Sequence, residues 1–439
     1  MERHLVGLAG ALAIIGGAGG ASAQDEALRA AIQADYQANL GALFEDFHRN
    51  PELSGLEVRT SAKLADRLEA LGYQVTTGVG GTGVVAVLDN GPGPVVMLRA
   101  DMDGLPLEEA SGLPYASTAR QMDKGVEKPV MHACGHDVHM TALIGAARQL
   151  IARRDRWSGT LVLIGQPAEE TGSGARQMLE DGLFERFPKP DYAFAFHVKA
   201  GLPAGRVEAP LGIVYSSVNS VDIAVHGVGA HGAYPHRGID PVVVASQMIM
   251  GFQTLPSRTV DPLEGAVVTV GSIHGGIKHN IIPDRVDLQL TVRADNAAVR
   301  DQLLAGIERI ARGTAIAMGV PDDELPEVVV SATDRTPPTI NDAALAAQLR
   351  DAFAQSLGPD ILIEQPRDGM GGEDFAYFMA PEHGVRAVYF NVGGTPPERL
   401  ATAAGHHATL FQITPEPAVI TGAQALVTAA ESLMPVDGT

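Results

Sequence analysis

The chain has 439 residues, with 32 Lys+Arg against 52 Asp+Glu for a formal charge of −20 and a sequence pI near 5.0. That acidity excludes a polyanion, nucleic acid or anionic membrane, as main partner, and 45% hydrophobic with only 19% charged residues excludes a disordered chain. One cysteine, Cys134, leaves no intramolecular disulfide, no Cys-x-x-Cys redox pair and no zinc ribbon.

Residues 1–23 read as a secretory signal peptide. Arg3 gives a basic start, Leu5 to Ile15 an apolar stretch, and Ala21-Ser22-Ala23 a small-residue cleavage pattern, with the cut after Ala23. The stretch is broken by glycines and falls short of the roughly 18–20 residues a membrane anchor needs. Cleavage removes Glu2 and Arg3 together, so the mature chain keeps its −20. No later run is long enough to span a bilayer, and export to a bacterial periplasm is the expectation.

From Asp25 to Arg49 the pattern is helical, stopped by Pro51. Val84–Leu88 and Val95–Leu98 then read as strands, His139–Ala152 as a helix, Thr160–Gly165 as a strand, Ser173–Leu179 as a helix and Tyr192–Phe196 as a strand. Near-continuous apolar strands separated by helices predict an α/β layer around a mostly parallel sheet. Near residue 216 the period changes. Val221, Ile223 and Val225 alternate with polar or small residues, a helix follows over Asp240–Leu255, and Val267–Ile273 is a strand. Val286, Leu288, Leu290 and Val292 alternate cleanly, Ala297–Met318 is an amphipathic helix, and Glu327–Ala332 a last strand. That order, β-α-β-β-α-β, predicts a ferredoxin-like α+β unit over 216–332, inserted into a catalytic domain formed by 24–215 and 333–439. The α/β pattern resumes with a helix over Asp342–Leu357, the strand Arg386–Asn391 and a helix from Pro415.

The densest chemical signal is Met131-His-Ala-Cys-Gly-His-Asp-Val-His139. Fourteen histidines in 439 residues put about a quarter of one in eight positions, yet 132–139 hold three and the only cysteine. Thiolate, imidazole and carboxylate together suit a zinc-like cation, although a buried thiol beside helix-capping histidines gives the same string. Asp101-Met-Asp103, Glu169-Glu170 and His197 each follow a predicted strand, where open parallel sheets build their sites. Cys134, His136, Glu170 and His197 would then converge on one point. Of two adjacent glutamates, one can hold a cation while the other takes the proton of a water acidified by it. Gly78-x-Gly80-x-x-Gly83 matches a dinucleotide fingerprint, but a strand follows it, so a turn is expected. Gly-x-Ser-x-Gly, P-loop and His-Glu-x-x-His patterns do not occur. Met248 and Met250 are expected to pack on the inserted unit's helix, and His48, His274 and His383 carry no pattern.

Arg99-Ala-Asp-Met-Asp-Gly-Leu-Pro106, Met131–His139 and Gln166-Pro-Ala-Glu-Glu170 resemble the metal-dependent amidohydrolase branch of the aminoacylase/carboxypeptidase family, which holds hippurate hydrolases, N-acyl-amino-acid deacylases and auxin-conjugate hydrolases. Gly229–His236, Asn280–Asp284 and Gly371–Phe375 extend the resemblance, in order, over about 35 to 430. It implies an α/β catalytic domain with an inserted lid through which two copies pair. It implies one or two divalent metals per subunit, zinc first, with manganese, cobalt or nickel also accepted by these donors. The implied metal ligands are Cys134, His136, Glu170, His197 and a late histidine four residues before a phenylalanine, His407 ahead of Phe411. Glu169 resembles the general base, and His231 a lid histidine that reaches a partner subunit's site to polarise the carbonyl. Asn280, Gly371 and Gly372 resemble substrate-positioning elements, and Asp103 would orient a ligand. The implied reaction is hydrolysis of the amide of an N-acyl amino acid or small peptide, releasing a free amino acid. Carboxypeptidase or dipeptidase action on unacylated peptides is the alternative. A periplasmic binding protein without catalysis is a third reading, against which the second carboxylate, Glu169, argues.

Overall fold

The computed structural model describes residues 23–436. The export signal expected over 1–23 lies, except for Ala23, outside them. The predicted N-terminal helix is helical throughout, as Ala23–Asp35, a π-turn at Tyr36–Leu40 and Gly41–Arg49, ending at Asn50 before Pro51.

The chain then lays down strands β1 (Gln74–Val79), β2 (Gly83–Asp89) and β3 (Val95–Asp101). Helix α1 (His136–Ala152), strand β4 (Thr160–Gln166) and strands β5 (Tyr192–Pro203) and β6 (Val207–Glu208) follow. It leaves for a second sheet through β7 (Ser217–His226), α2 (Pro241–Phe252), β8 (Ala266–Gly275), β9 (Arg285–Ala294), α3 (Ala297–Ala317) and β10 (Glu327–Thr336). It returns with α4 (Ala343–Ser356), β11 (Arg386–Thr395) and α5 (Pro415–Leu433).

The large sheet has the order β1-β2-β4-β3-β5-β11-β6. Its centre is parallel across β4–β3, β3–β5 and β5–β11, while the outer pairs are antiparallel. The central strands read as unbroken apolar runs because both faces are covered. Leu98, Phe194 and Phe390 pack with α1 and α5 on one side. Met97, Ile164 and Tyr389 pack with Met178, Phe375 and Phe378 on the other. The Gly78–Gly83 string is the turn between β1 and β2. Gly80 sits at φ +65°, and a Cβ there would lie 2.5 Å from the Met178 backbone nitrogen.

The second sheet has the order β8-β9-β7-β10, antiparallel throughout, which is the ferredoxin-like arrangement the sequence predicts. Its inward residues Val286, Leu288, Leu290 and Val292 meet α2 and α3 in a separate core. Strand β10 runs to Thr336, beyond the expected end at Ala332. Of the two methionines expected to pack on α2, Met248 is buried and Met250 is 68% exposed. Two residues are about 200° apart around a helix, so the pair cannot share a face. Among the described residues no helix is long and apolar enough to cross a membrane.

His48, to which the sequence assigns nothing, is buried with Nδ1 2.7 Å from Asp137 and Nε2 3.1 Å from Glu109. Burial disfavours its charge, but Asp137 and Glu109 outweigh this and raise its pKa to about 9. A pKa raised on folding gives stability that is complete below about pH 6.5 and disappears as pH rises through about 9. The stability difference between the wild type and His48→Gln is therefore expected to shrink by about 3 kcal/mol between pH 6 and pH 9.5. Denaturant unfolding at both pH values checks this, and a constant difference would refute it.

Candidate active site

Strands β3 and β4 end side by side, with Asp101 in register with Gln166. The loops beyond them carry Asp103 and Glu169-Glu170. Strand β5 does not stop at Phe196 as expected; it continues to Pro203, so His197 lies within the strand beside Asn391 of β11. Cys134 and His136 flank Gly135, the left-handed residue that starts α1 at φ +88°. A Cβ at Gly135 would lie 2.3 Å from Val198, so only glycine lets this turn press against β5.

These segments bring Cys134, His136, Glu169, Glu170 and His197 together. Cys134, His136 and Glu170 offer donor atoms all within 4.8 Å of one another. The Cys134 sulfur lies 3.3 Å from His197 Nε2. His136 Nε2 is 3.8 Å from Glu170 and 4.0 Å from Glu169. The outward nitrogens fix the tautomers. His136 Nδ1 donates to the Asp103 carbonyl at 2.8 Å and His197 Nδ1 to the Val198 carbonyl at 2.7 Å. His197, held neutral by burial, therefore turns an unprotonated Nε2 inward. At His136 burial is outweighed by Asp101 and Asp103, which raise its pKa to about 10, so its Nε2 offers a lone pair only when a cation displaces that proton. His136 Nε2 and Glu170 Oε1 are buried with no hydrogen-bond partner among the described residues. Two orphaned buried polar atoms beside a thiol and an imidazole are what a cation would satisfy, and the donor set fits one.

The other histidines divide by the same argument. His139 accepts from the Val198 N–H at 2.8 Å and donates to Asp101 at 2.5 Å, which leaves it no inward lone pair. His406 also lies in the cluster, its Nδ1 3.8 Å from the Cys134 sulfur. Its Nε2 accepts from the Ala200 N–H at 3.0 Å, so Nδ1 carries the proton and His406 donates toward the sulfur. His407 puts Nε2 3.2 Å from Glu170 Oε2 on a backbone at φ +61°. Both members of the pair reach the site, His406 beside Cys134 and His197 and His407 against Glu170.

Asp103 orients the centre. Its carboxylate accepts from the N–H groups of Glu169 and Glu170 at 3.1 and 3.0 Å and from Ser54 at 2.6 Å. Ala168, at φ +50°, is held by its N–H donating to buried Glu57 at 2.8 Å. Burial, reinforced by Glu170, Glu169 and Asp101, pushes the Cys134 thiol well above its usual range. Burial and then Glu373 and Glu170 push the Glu169 carboxyl up likewise. Both shifts express burial first and the surrounding negative charge second.

A cavity of about 590 Å³ opens over these residues, lined also by Tyr215, Val218, Arg293 and Thr336 of the second sheet region and by Gly371 and Gly372. His231 and Asn280 do not line it. They sit at a small exposed two-stranded pair in which His231 is opposite Ile281 and the Gly232 N–H donates to the Asn280 carbonyl. The sequence reading missed the anchor beneath the site. Arg99, 1% exposed, donates to Gln166 at 2.9 Å, Asp101 at 2.7 Å and Glu373 at 2.8 Å. The visible signal was an arginine inside the apolar strand Val95–Asp101.

A thiol, imidazoles and paired carboxylates at the carboxyl ends of a parallel sheet, under a second α+β unit, define a hydrolytic metal-site architecture. Residues 97–432 match peptidase family M20/M25/M40, and the chain belongs to that family. It is 38% identical over 337 residues to the N-acetyl-L-cysteine deacetylase of Bacillus subtilis, covering 76% of this chain and 75% of that one. It is 36% identical to the hippurate hydrolase of Campylobacter jejuni over 348 residues, 78% of this chain and 86% of the relative. Among solved structures it superimposes on the Bacillus subtilis YxeP protein, a dinuclear metal-binding peptidase, with TM-score 0.74 and 29% identity over 91% of this chain and 99% of that one. The chain is a hydrolase of this amidohydrolase and metallopeptidase group.

Proposed function

We propose that the protein hydrolyses the amide bond of N-acylated amino acids or short acylated peptides and releases the free amino acid. The observation that carries the reading is a spare carboxylate, Glu169, beside a complete donor set. Cys134, His136, Glu170, His197 and His407 would hold one or two divalent cations, zinc first because a thiolate and imidazoles favour it. When bound, the cation supplies Lewis acidity, which makes a water acidic near neutral pH and polarises the substrate carbonyl. Glu169 takes the proton of the attacking water and delivers it to the leaving nitrogen. Arg293 and Arg335, lining the same cavity, form a cationic wall for the substrate carboxylate.

His231 and Asn280 enter if two copies pair through the second sheet, each lending its lid to the other's cavity. The apolar side chains Ile273, Ile277, Val329 and Val330, all at least 40% exposed on this unit, support such pairing. The Ala21-Ser22-Ala23 pattern supports export to the periplasm, and N-terminal sequencing of the mature protein tests it.

The decisive experiment is hydrolysis of a panel of N-acyl amino acids and dipeptides by metal-analysed enzyme, before and after chelation. Activity on the acylated members should fall with the metal and return with it; undiminished activity in metal-free protein would overturn the reading. The late ligand is separable by the same assay. His407→Ala should lower metal affinity about 10–100-fold or more, whereas His406→Ala should leave stoichiometric binding in place. Equilibrium metal titration checks this, and the reverse order would make His406 the ligand.

A further inference from the structure

One wall of the cavity is polar where a pocket for hydrocarbon would be apolar. His197 on β5 is in register with Asn391 on β11, and Asn391 with Glu208 on β6. Laterally paired residues point to one face of a sheet about 4.8 Å apart, so a row of polar side chains runs from the metal ligands across the floor. Lys199, two residues beyond His197 and hence on the same face, closes it by donating to Glu208 at 3.2 Å. The Asn391 amide nitrogen donates to the same carboxylate oxygen at 3.0 Å. Glu208 only accepts, which fixes the Asn391 carboxamide with its oxygen turned away, and that oxygen is buried without a donor among the described residues. Asn391 is 4% and Glu208 6% exposed, and both line the cavity with Lys199.

We infer that this wall selects substrates whose arm ends in a net-neutral, dipolar group, a primary carboxamide or an amino-carboxylate end, over alkyl or aryl arms. The inference rests on the reading that the cavity is the substrate site. An apolar arm would cover the Lys199–Glu208 pair and strip its water without replacing it. A singly charged arm would leave one member of the neutral pair uncompensated. A dipolar end accepts from the Lys199 ammonium and donates to Glu208, whose carboxylate Asn391 holds in place, matching the pair group for group. Whether the arm belongs to the acyl group or to the amino-acid side chain is a matter of which way the substrate lies, so both are probed.

Two isosteric pairs separate these: N-acetyl-L-glutamine against N-acetyl-L-homoleucine, and succinamoyl-glycine against 4-methylpentanoyl-glycine. In at least one pair, kcat/KM for the carboxamide should exceed that for the alkyl member about tenfold or more, mainly through KM. The Lys199→Met/Glu208→Met variant and Asn391→Leu, each checked for folding by circular dichroism, should bring the ratio to within about twofold or invert it. Calorimetric binding of the same four probes to metal-depleted protein should show the same order without turnover. Equal or better handling of the alkyl member in both pairs, a preference that survives the variants, or no binding of any probe would overturn the inference. Hydrolysis without discrimination would sink the wall and leave the proposed function standing; discrimination in binding without hydrolysis would do the opposite.

Discussion

Replacing Glu169 by glutamine is expected to lower turnover by at least about 10²–10⁴-fold while the protein still binds its metal. The split follows from the positions of the two neighbouring carboxylates. Glu170 Oε1 is the buried, unpartnered atom, and Glu170 Oε2 faces His407 at 3.2 Å, so Glu170 belongs to the donor set. Glu169 stands slightly farther from His136 Nε2, at 4.0 Å, and lines the cavity as Glu170 does, but away from His407. Glutamine keeps the shape and the N–H that Asp103 accepts, and removes only the ability to take a proton. Metal content per chain and KM should therefore change little while kcat collapses. Replacing Glu170 by glutamine should instead lose metal and activity together. Turnover within a few-fold of the wild type for Glu169→Gln would remove it as the base.

Much of this could be read from the chain because the strongest signals are local. The fold class follows from two periods, unbroken apolar strands buried on both faces and alternating strands buried on one. The Cys134–His139 string carries two of the five proposed donors within one helix start. What escaped reading depends on contacts far apart in sequence. Arg99 meets Glu373 across 274 residues, and Gln166 meets Asp374 across 208. The hairpin Arg120–Asp123 with Val126–Pro129 is polar and mostly half-exposed, so no apolar rhythm announced it. The surroundings of His406 and His407 depend on a backbone N–H from Ala200, 206 residues from His406, which occupies His406 Nε2, and on Glu170, which faces His407. Asn391, Glu208 and Lys199 look like ordinary surface polarity until the register sets them in a row beside His197.

Arg99→Met is expected to destabilise the protein by about 3–5 kcal/mol, the largest stability loss of any single substitution away from the apolar core. The guanidinium is 1% exposed and touches Asp101 at 2.7 Å and Glu373 at 2.8 Å, with Asp374 at 3.4 Å. Burial alone would raise the Asp101 carboxyl, yet Arg99, with His136 and His139, holds it well below the ordinary range. Asp374 is pushed the other way, by burial and by Glu373. Methionine fills the volume but leaves Asp101 and Glu373 buried without their cation. They must then be protonated or admit water, and either change loosens the Asp101–His139 contact and the Gly371–Gly372 loop at the cavity edge. Arg99→Lys should recover little, because one ammonium cannot span Gln166, Asp101 and Glu373 as a planar fork does. The loss should also lessen at low pH, where the stranded carboxylates are neutral in both states and the missing charge matters less. Denaturant unfolding of the three proteins at neutral and acidic pH reads all of this. A methionine variant within 1 kcal/mol of the wild type at neutral pH would show that the carboxylates, and not the arginine, hold the floor of the site together.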